Sequence, residues 1–456
     1  MFSKIQRIHF VGIGGIGMSG IAEILLDQGF HVSGSDLQGS DVTNHLEKLG
    51  ATIFEGHSAA NIEGAEAVVY SSAVKIAENP ETAEALRRKI PVIRRAEMLA
   101  EVTRLKYCVA IAGTHGKTTT TSMCGLMLMK GGIDPTVIVG GKLSGLGGTN
   151  ARLGRGEWTV VEADEYDRSF LQLLPTIALI TNVEAEHLDI YADLDDIKHT
   201  FAQFANKTPF YGLVVVCLDN AGAMEVLPNI NKNVRTYGLS PQCDVRAVDI
   251  VHNERVSEFS LMYNGENLGR IALHIPGLHN VRNALGAITV ALELGVSVED
   301  IRSALDGFSG VYRRFEIKGE KQGIMLIDDY AHHPSEVSAT LQAARNGWKR
   351  RVICVFQPHT YTRTRDFCTD FGKSFTDADH LIITDVYPAR EVPIDGVSGQ
   401  IIADAAAKFG HRNVQYVPDK KDIPSLLKSM TKEGDIVMTL GAGDIWKFGN
   451  EFLQSL

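Results

Sequence analysis

Tyr107-Cys-Val-Ala-Ile-Ala-Gly-Thr-His-Gly-Lys-Thr-Thr-Thr-Thr121 runs from an apolar stretch into a glycine-bounded polar loop and then into helix-like sequence. A strand ending in such a loop, with a helix behind it, is half of a parallel α/β unit and a place for phosphate. Gly113 and Gly116 let backbone N–H groups approach phosphate oxygens, and the helix start favours negative charge. Lys117 adds a point cation, and Thr118 offers a hydroxyl to Mg²⁺. The spacing departs from a strict G-x-x-x-x-G-K-[ST] pattern, since Ile111 stands five residues before Gly116. The competing reading is a polar turn that happens to contain Lys-Thr; the strand before it and the helix after it argue otherwise.

Outward from this loop, strand-like runs alternate with helical periods, at 5–11, 31–35 and 67–71 before it and at 158–162, 176–181 and 212–218 after it. That alternation predicts parallel sheets with crossover helices. Between 243 and 275 the texture changes to short alternating runs around Asn264-Gly265, a hairpin dipeptide, which predicts a small antiparallel patch. The α/β alternation restarts at 324–328, 352–356, 381–385, 414–417 and 436–440. The expected architecture is α/β in three domains. Residues 1–95 form a Rossmann-like domain, 96–310 a central P-loop-type ATPase domain with a mainly parallel sheet, and 311–456 a second Rossmann-like domain.

Composition narrows the function classes. The balance of 45 Lys+Arg against 55 Asp+Glu, a formal charge of -10, argues against a general nucleic-acid or anionic-membrane surface. Six cysteines lie scattered without C-x-x-C spacing, as buried thiols in a reducing compartment do. No apolar run reaches membrane-spanning length and the N-terminus enters a strand without a signal-peptide core, so the expectation is a cytoplasmic protein without membrane insertion.

A second glycine loop, Val11-Gly-Ile-Gly-Gly-Ile-Gly17, follows the first strand, and Asp36 stands where a dinucleotide fold places its ribose-binding acid. Alone, Gly12, Gly14 and Gly17 would suggest a dinucleotide-dependent oxidoreductase. With a separate ATP-type loop in the chain, a ligase or kinase fits better, the first loop holding another phosphate-bearing substrate. Two acidic sets follow strands of the middle region: Glu162-Ala-Asp-Glu-Tyr-Asp167, and Asn182-Val-Glu-Ala-Glu-His-Leu-Asp189. Both fall at strand C-terminal ends, where open α/β sheets collect ligands, and an ATP loop needs such groups to hold Mg²⁺. Solvated acidic loops are the alternative for either set.

Together with Leu278-His-Asn-Val-Arg-Asn-Ala284, Tyr312-Arg-Arg-Phe315 and Asp328-Asp-Tyr-Ala-His-His-Pro334, these motifs resemble the ATP-dependent Mur ligases of peptidoglycan precursor synthesis. The resemblance runs in order from Gly12 to Gly443. It implies that ATP phosphorylates a substrate carboxylate and that an amine displaces the phosphate. Gly113, Thr114, His115, Gly116, Lys117, Thr118 and Thr119 would then bind ATP, with Asn280, Asn283, Arg314 and Asp329. Thr118, Glu162 and His187 would hold Mg²⁺, and Lys117, Glu162, His187, Arg314 and Asp329 would form the catalytic set.

Gly14, Gly15, Ile16, Gly17, Asp36, Ser71 and Ser72 would meet the UDP of UDP-N-acetylmuramate, with Ser35 beside Asp36. Arg94-Arg95 would pair with the diphosphate or end the domain. Tyr330, His332 and Arg363 would receive an amino acid, L-alanine in the narrower resemblance, with Thr360 standing where some relatives carry another arginine. The closest alternative is a ligase of the same family that attaches a tripeptide; a non-catalytic nucleotide-binding scaffold would leave Lys117, Glu162 and His187 without a task. The protein is expected to be a monomer or weak homodimer.

Overall fold

A computed structural model describes residues 5–71, 73–104, 106–141, 150–188 and 190–456. The chain divides into two compact units. One comprises Met1–Val248, Ser260–Arg270 and Arg282–Gly307, and the other Asp249–Phe259, Ile271–Val281 and Phe308–Leu456.

The first unit opens with a five-stranded parallel sheet in the order Thr52–Glu55, His31–Asp36, Arg7–Val11, Ala67–Tyr70, Val92–Arg94. Arg7–Val11 and Ala67–Tyr70 at its centre are almost wholly buried, since both faces of the sheet are covered, while the inner strand His31–Asp36 is more polar. Ile8 and Phe10 pack into one core, and Val11, Val68 and Tyr70 into another. Strand order reverses beside Arg7–Val11, so the crevice past its C-terminal end is the topological switch point where such sheets bind ligands.

Tyr107–Ala112 lies inside the ten-stranded sheet, paired in parallel with Ile177–Ile180 on one side and Trp158–Glu162 on the other. Here too the order reverses at the strand that carries a glycine loop. Val245–Asn253, Val256–Tyr263 and Glu266–Leu273 follow one another in the sheet order through short turns, the expected antiparallel patch.

In the second unit the order is Glu316–Lys321, Ile324–Asp329, Asp435–Leu440, Arg351–Phe356, His380–Ile383, Val414–Tyr416. Only the first pair is antiparallel. Met325 and Ile327 face one core, Ile324 and Leu326 the other.

The strands that sequence periodicity misses are short, peripheral or only partly buried: Thr52–Glu55, Val92–Arg94, Thr136–Ile138, Ala151–Arg152, Val234–Gly238 and Glu316–Lys321. Their residues are only partly buried or the runs too brief, so hydrophobic period does not reveal them. The helix Lys117–Lys130 shows the opposite effect. Its run of four threonines is weakly helical by propensity, yet Thr119, Thr120, Thr121, Met123, Cys124 and Met127 are buried, and packing holds the helix. Cys108, Cys124, Cys217, Cys243 and Cys354 are buried, Cys368 is partly so, and all six are free thiols. Among the described residues no helix is long and apolar enough to cross a membrane.

Candidate active site

Most helices of the first unit start with a side-chain cap. Ser40, Asn79, Asp193, Asn220 and Ser297 each accept from an N–H of the first turn. The helices behind the two glycine loops have none: Ile16–Asp27 begins at Gly15 and Lys117–Lys130 at Gly116. An uncapped start directs its N–H groups and dipole at whatever lies beyond the strand, which suits an anion.

At the first loop, the Gly14 N–H donates to Asp36 Oδ2 at 2.8 Å and the Leu37 N–H to Asp36 Oδ1 at 2.8 Å. Asp36 thus holds the loop shape. A Cβ on Gly14 would stand 2.8 Å from Asp36 Oδ2, and one on Gly17 would stand 2.7 Å from Arg95 Nη1. Arg95 therefore lies across the start of the helix, with Asp164 3.5 Å away. Arg94 Nε donates to the Tyr70 hydroxyl at 3.1 Å. Both arginines line a cavity of about 340 Å³ whose other walls include Tyr70, Ile76, Tyr166 and Gln172. Ile16 is exposed. Ser71 Oγ accepts from the Ala73 N–H at 3.3 Å, an ordinary turn bond; Ser72 lies outside the described residues.

Ser35 does not line the crevice that the resemblance implies for it. It is wholly buried and its hydroxyl donates to Glu81 at 2.6 Å, so it belongs to an interior network instead of the crevice. Burial alone would raise the Glu81 carboxyl, but bonds from His9, Ser35 and Asn61 outweigh it and hold it at about 2.

At the second loop Gly116 adopts φ +82°, and a Cβ there would collide with the Asn283 carboxamide. Asn283 therefore rests on the loop itself. The loop is stapled from the neighbouring strand end: the His115 N–H donates to Asn182 Oδ1 at 2.8 Å, and Thr181 Oγ1 and Asn182 Nδ2 donate to the His115 carbonyl at 2.6 and 3.0 Å. The Glu184 N–H donates to the Thr114 hydroxyl at 2.9 Å.

Lys117 Nζ donates to both oxygens of Glu165, at 2.7 and 2.9 Å, and to the Gly113 carbonyl at 2.6 Å. Burial works against the Lys117 ammonium, yet the charges of Glu165 and Asp164 prevail and raise it. For Glu165 burial dominates and pushes the carboxyl up, despite Lys117. His187, in a left-handed conformation at φ 57°, brings Nε2 to 3.7 Å from Glu165 Oε1. The Thr118 hydroxyl bonds the Glu162 carboxylate, which also accepts from the Gly140 N–H at 2.7 Å. Burial raises the Glu162 carboxyl. A hydroxyl and a carboxylate side by side at a phosphate loop are the hard oxygen donors Mg²⁺ takes, so this donor set fits that ion; the His187 imidazole is a softer ligand.

In the second unit the two adjacent arginines take different places. Arg313 is buried, its Nε donating to Asp328 Oδ2 at 2.8 Å and its Nη groups to the carbonyls of Gly441 and Gly443 at 2.6 and 3.2 Å. It clamps two strand ends. Arg314 is partly open, 3.3 Å from Glu336 Oε1 and over the Tyr330 ring at 5.3 Å. Asp329 accepts the N–H groups of Phe315 and Ala331 at 2.6 and 2.7 Å. Burial pushes its carboxyl up to about 6, against the pull of Arg314. Asn280 donates to the Pro276 carbonyl at 2.7 Å.

Tyr330 meets His332 edge-on at 5.3 Å, His332 meets His359 at 5.9 Å, and His359 stacks on Tyr387 at 5.7 Å. The His332 N–H donates to Glu336 Oε2 at 3.0 Å. Arg363 Nη1 lies 3.4 Å from His359 Nδ1, so Tyr330, His332 and Arg363 gather at one end of this sheet.

Three family models match in chain order: "Mur ligase family, catalytic domain" over residues 7–107, "Mur ligase middle domain" over 111–291, and "Mur ligase, glutamate ligase domain" over 313–443. A UDP-N-acetylmuramate–L-alanine ligase of Geotalea daltonii is 54% identical over 100% of this chain and 99% of its own. The chain belongs to the Mur ligase family. A UDP-N-acetylmuramate–L-alanine ligase of Salinibacter ruber is 53% identical over 99% of this chain and 95% of its own. Among solved structures, the UDP-N-acetylmuramate-alanine ligase of Thermotoga maritima is similar at TM-score 0.83 and 30% identity, over 98% of each chain. A murein peptide ligase of Psychrobacter arcticus is similar at TM-score 0.72 and 26% identity, over 99% of this chain and 98% of its own.

Two residues of the Mur ligase site carry no individual role in the sequence motifs: Glu165, which holds the Lys117 contact, and Asn182, which staples the ATP-type loop; of the two roles open to Arg95, its place beside Gly17 favours the one at the diphosphate. Glu165 and Asn182 stand inside the quoted acidic sets, and a Lys beside two carboxylate candidates is a signal for one of them. Gly17 and Arg95 stand 78 positions apart in sequence, and sheet order brings them together.

Proposed function

We propose that this chain joins L-alanine to the lactyl carboxylate of UDP-N-acetylmuramate, with ATP converted to ADP and phosphate, in peptidoglycan precursor synthesis. The observation that carries the reading is a pair of uncapped helix starts behind glycine loops in one unit, with a lysine at the second alone. Full-length relatives at 51–54% identity named for this reaction support it.

Gly14 to Gly17 hold the UDP diphosphate through backbone N–H groups, with Arg95 beside them. Asp36 keeps the loop in shape for it. Lys117 leaves Glu165 to meet the ATP phosphates, an exchange of one anionic partner for another at little net cost in charge. Thr118 and Glu162, with His187, would hold Mg²⁺; when bound, it supplies charge neutralisation between the phosphates and the substrate carboxylate. That carboxylate takes the γ-phosphoryl group and becomes an acyl phosphate. The alanine amine adds to its carbonyl and gives up a proton, and inorganic phosphate leaves. Arg314 and Asp329 are assigned to ATP, Tyr330, His332 and Arg363 to the amino acid. The reading places the protein in the cytoplasm as a monomer or weak homodimer, and divides it functionally at about residues 95 and 310.

The test is phosphate release from Mg-ATP with UDP-N-acetylmuramate, adding L-alanine, glycine, L-serine or the tripeptide in turn. Release with L-alanine is expected. Release with the tripeptide alone would replace this reading by the murein peptide ligase one.

A further inference from the structure

Thr360 is a β-branched residue at φ 66° and ψ 144°, a region nearly confined to glycine. Something has to hold it there. Its N–H donates to the Tyr387 carbonyl at 2.9 Å, and the Tyr387 N–H donates back to the Pro358 carbonyl at 2.8 Å. The turn that follows is pinned by one carboxylate. Glu391 accepts from the N–H groups of Tyr361 and Thr362, the latter at 3.0 Å, and from the Thr362 hydroxyl. It arrives from the segment after the next strand, His380–Ile383.

These contacts decide where Arg363 goes. With Tyr361 and Thr362 fixed, the short helix Tyr361–Asp366 starts abruptly, and the Arg363 guanidinium turns back over His359, 3.4 Å from its Nδ1 and 3.4 Å from its carbonyl. Thr360 itself offers no cation, so recognition of a free carboxylate there depends on how well one arginine is aimed. A strained residue persists only where its surroundings over-determine it, and such residues cluster at ligand sites.

We propose that Glu391 is the positioning residue of the amino-acid site. It locks the Thr360–Arg363 turn so that Arg363 presents its guanidinium to the carboxylate of the incoming amino acid. The inference rests on the proposed function, which places the amino acid at Arg363.

The test compares Glu391→Ala, Glu391→Gln, Glu391→Asp, Arg363→Ala and the double variant Glu391→Ala/Arg363→Ala by phosphate release, with thermal melting as the folding control. KM for L-alanine should rise roughly 10- to 100-fold in Glu391→Ala. KM for ATP and for UDP-N-acetylmuramate should stay within about twofold. Glu391→Gln and Glu391→Asp, which keep an acceptor, should fall between wild type and Glu391→Ala. The preference for L-alanine over L-alaninamide should collapse in Glu391→Ala, and the double variant should be no worse than Arg363→Ala alone. A retained preference over the amide, KM values that all move together, or losses that multiply in the double variant would each overturn the inference. Wild-type protein that releases no phosphate with L-alanine would overturn the proposed function instead, and this inference with it.

Discussion

Replacing Gly14 by alanine tests the first loop most directly. The added Cβ would stand 2.8 Å from Asp36 Oδ2, about 0.6 Å short of ordinary contact at 3.4 Å, with Thr43 Cγ2 at 3.2 Å on another side. Neither neighbour leaves room, so the Asp36 carboxylate must turn away. That breaks the 2.8 Å bond from the Gly14 N–H, a hydrogen bond to a charged group worth about 1.5–3 kcal/mol. The loop then no longer presents its N–H groups in one arrangement. Spread over binding, the loss corresponds to roughly 10- to 100-fold in affinity. Isothermal titration should show UDP-N-acetylmuramate binding weakened by that factor and ATP binding changed by less than about twofold. Unchanged affinity for the UDP substrate would refute the assignment of this loop, and an equal loss for ATP would refute the separation of the two loops.

Lys117→Ala should lower turnover on the order of 10²- to 10³-fold while UDP-N-acetylmuramate affinity, read by the same titration, is kept. Arg313→Ala and Arg314→Ala should separate folding from function. The first leaves Asp328 buried without its partner and should cost about 3–5 kcal/mol in urea unfolding. The second removes a partly open ion pair worth less than about 1 kcal/mol, and should instead lower kcat/KM for ATP.

Asp329 sets a pH dependence. Its folded-state carboxyl stands at about 6 against 3.8, so the folded protein binds that proton more tightly. Stability from this group is fully present below about pH 3.8 and is lost as pH rises through about 6, by roughly 3 kcal/mol. Unfolding curves of Asp329→Asn should lack this fall, and an unchanged slope between these pH values would contradict the burial argument.

The parallel α/β plan was legible because buried parallel strands are continuous apolar runs: the run Tyr107 to Ala112 reads and folds as the same strand. The glycine loops were legible for a related reason, since backbone approach to phosphate needs residues of fixed type at fixed local spacing. Ser35 misled because a hydroxyl at a strand end looks the same whether it faces a crevice or, as here, a buried Glu81 46 positions away. Likewise, Tyr312-Arg-Arg-Phe315 contains two arginines of identical chemistry, and nothing local says which is interior.

By itself, then, the sequence determined the class of fold, the two phosphate loops and the family, all written in short-range pattern. Tertiary structure alone decided the pairings: Lys117 on Glu165, Arg313 on Asp328 and two carbonyls, Arg95 on Gly17, Glu391 under the Arg363 turn. Each brings together residues well apart in sequence, whether across one hairpin, as for Arg313 and Asp328, or across a sheet. A charged side chain takes its task from the partner that compensates its desolvation, and that partner is chosen by the fold.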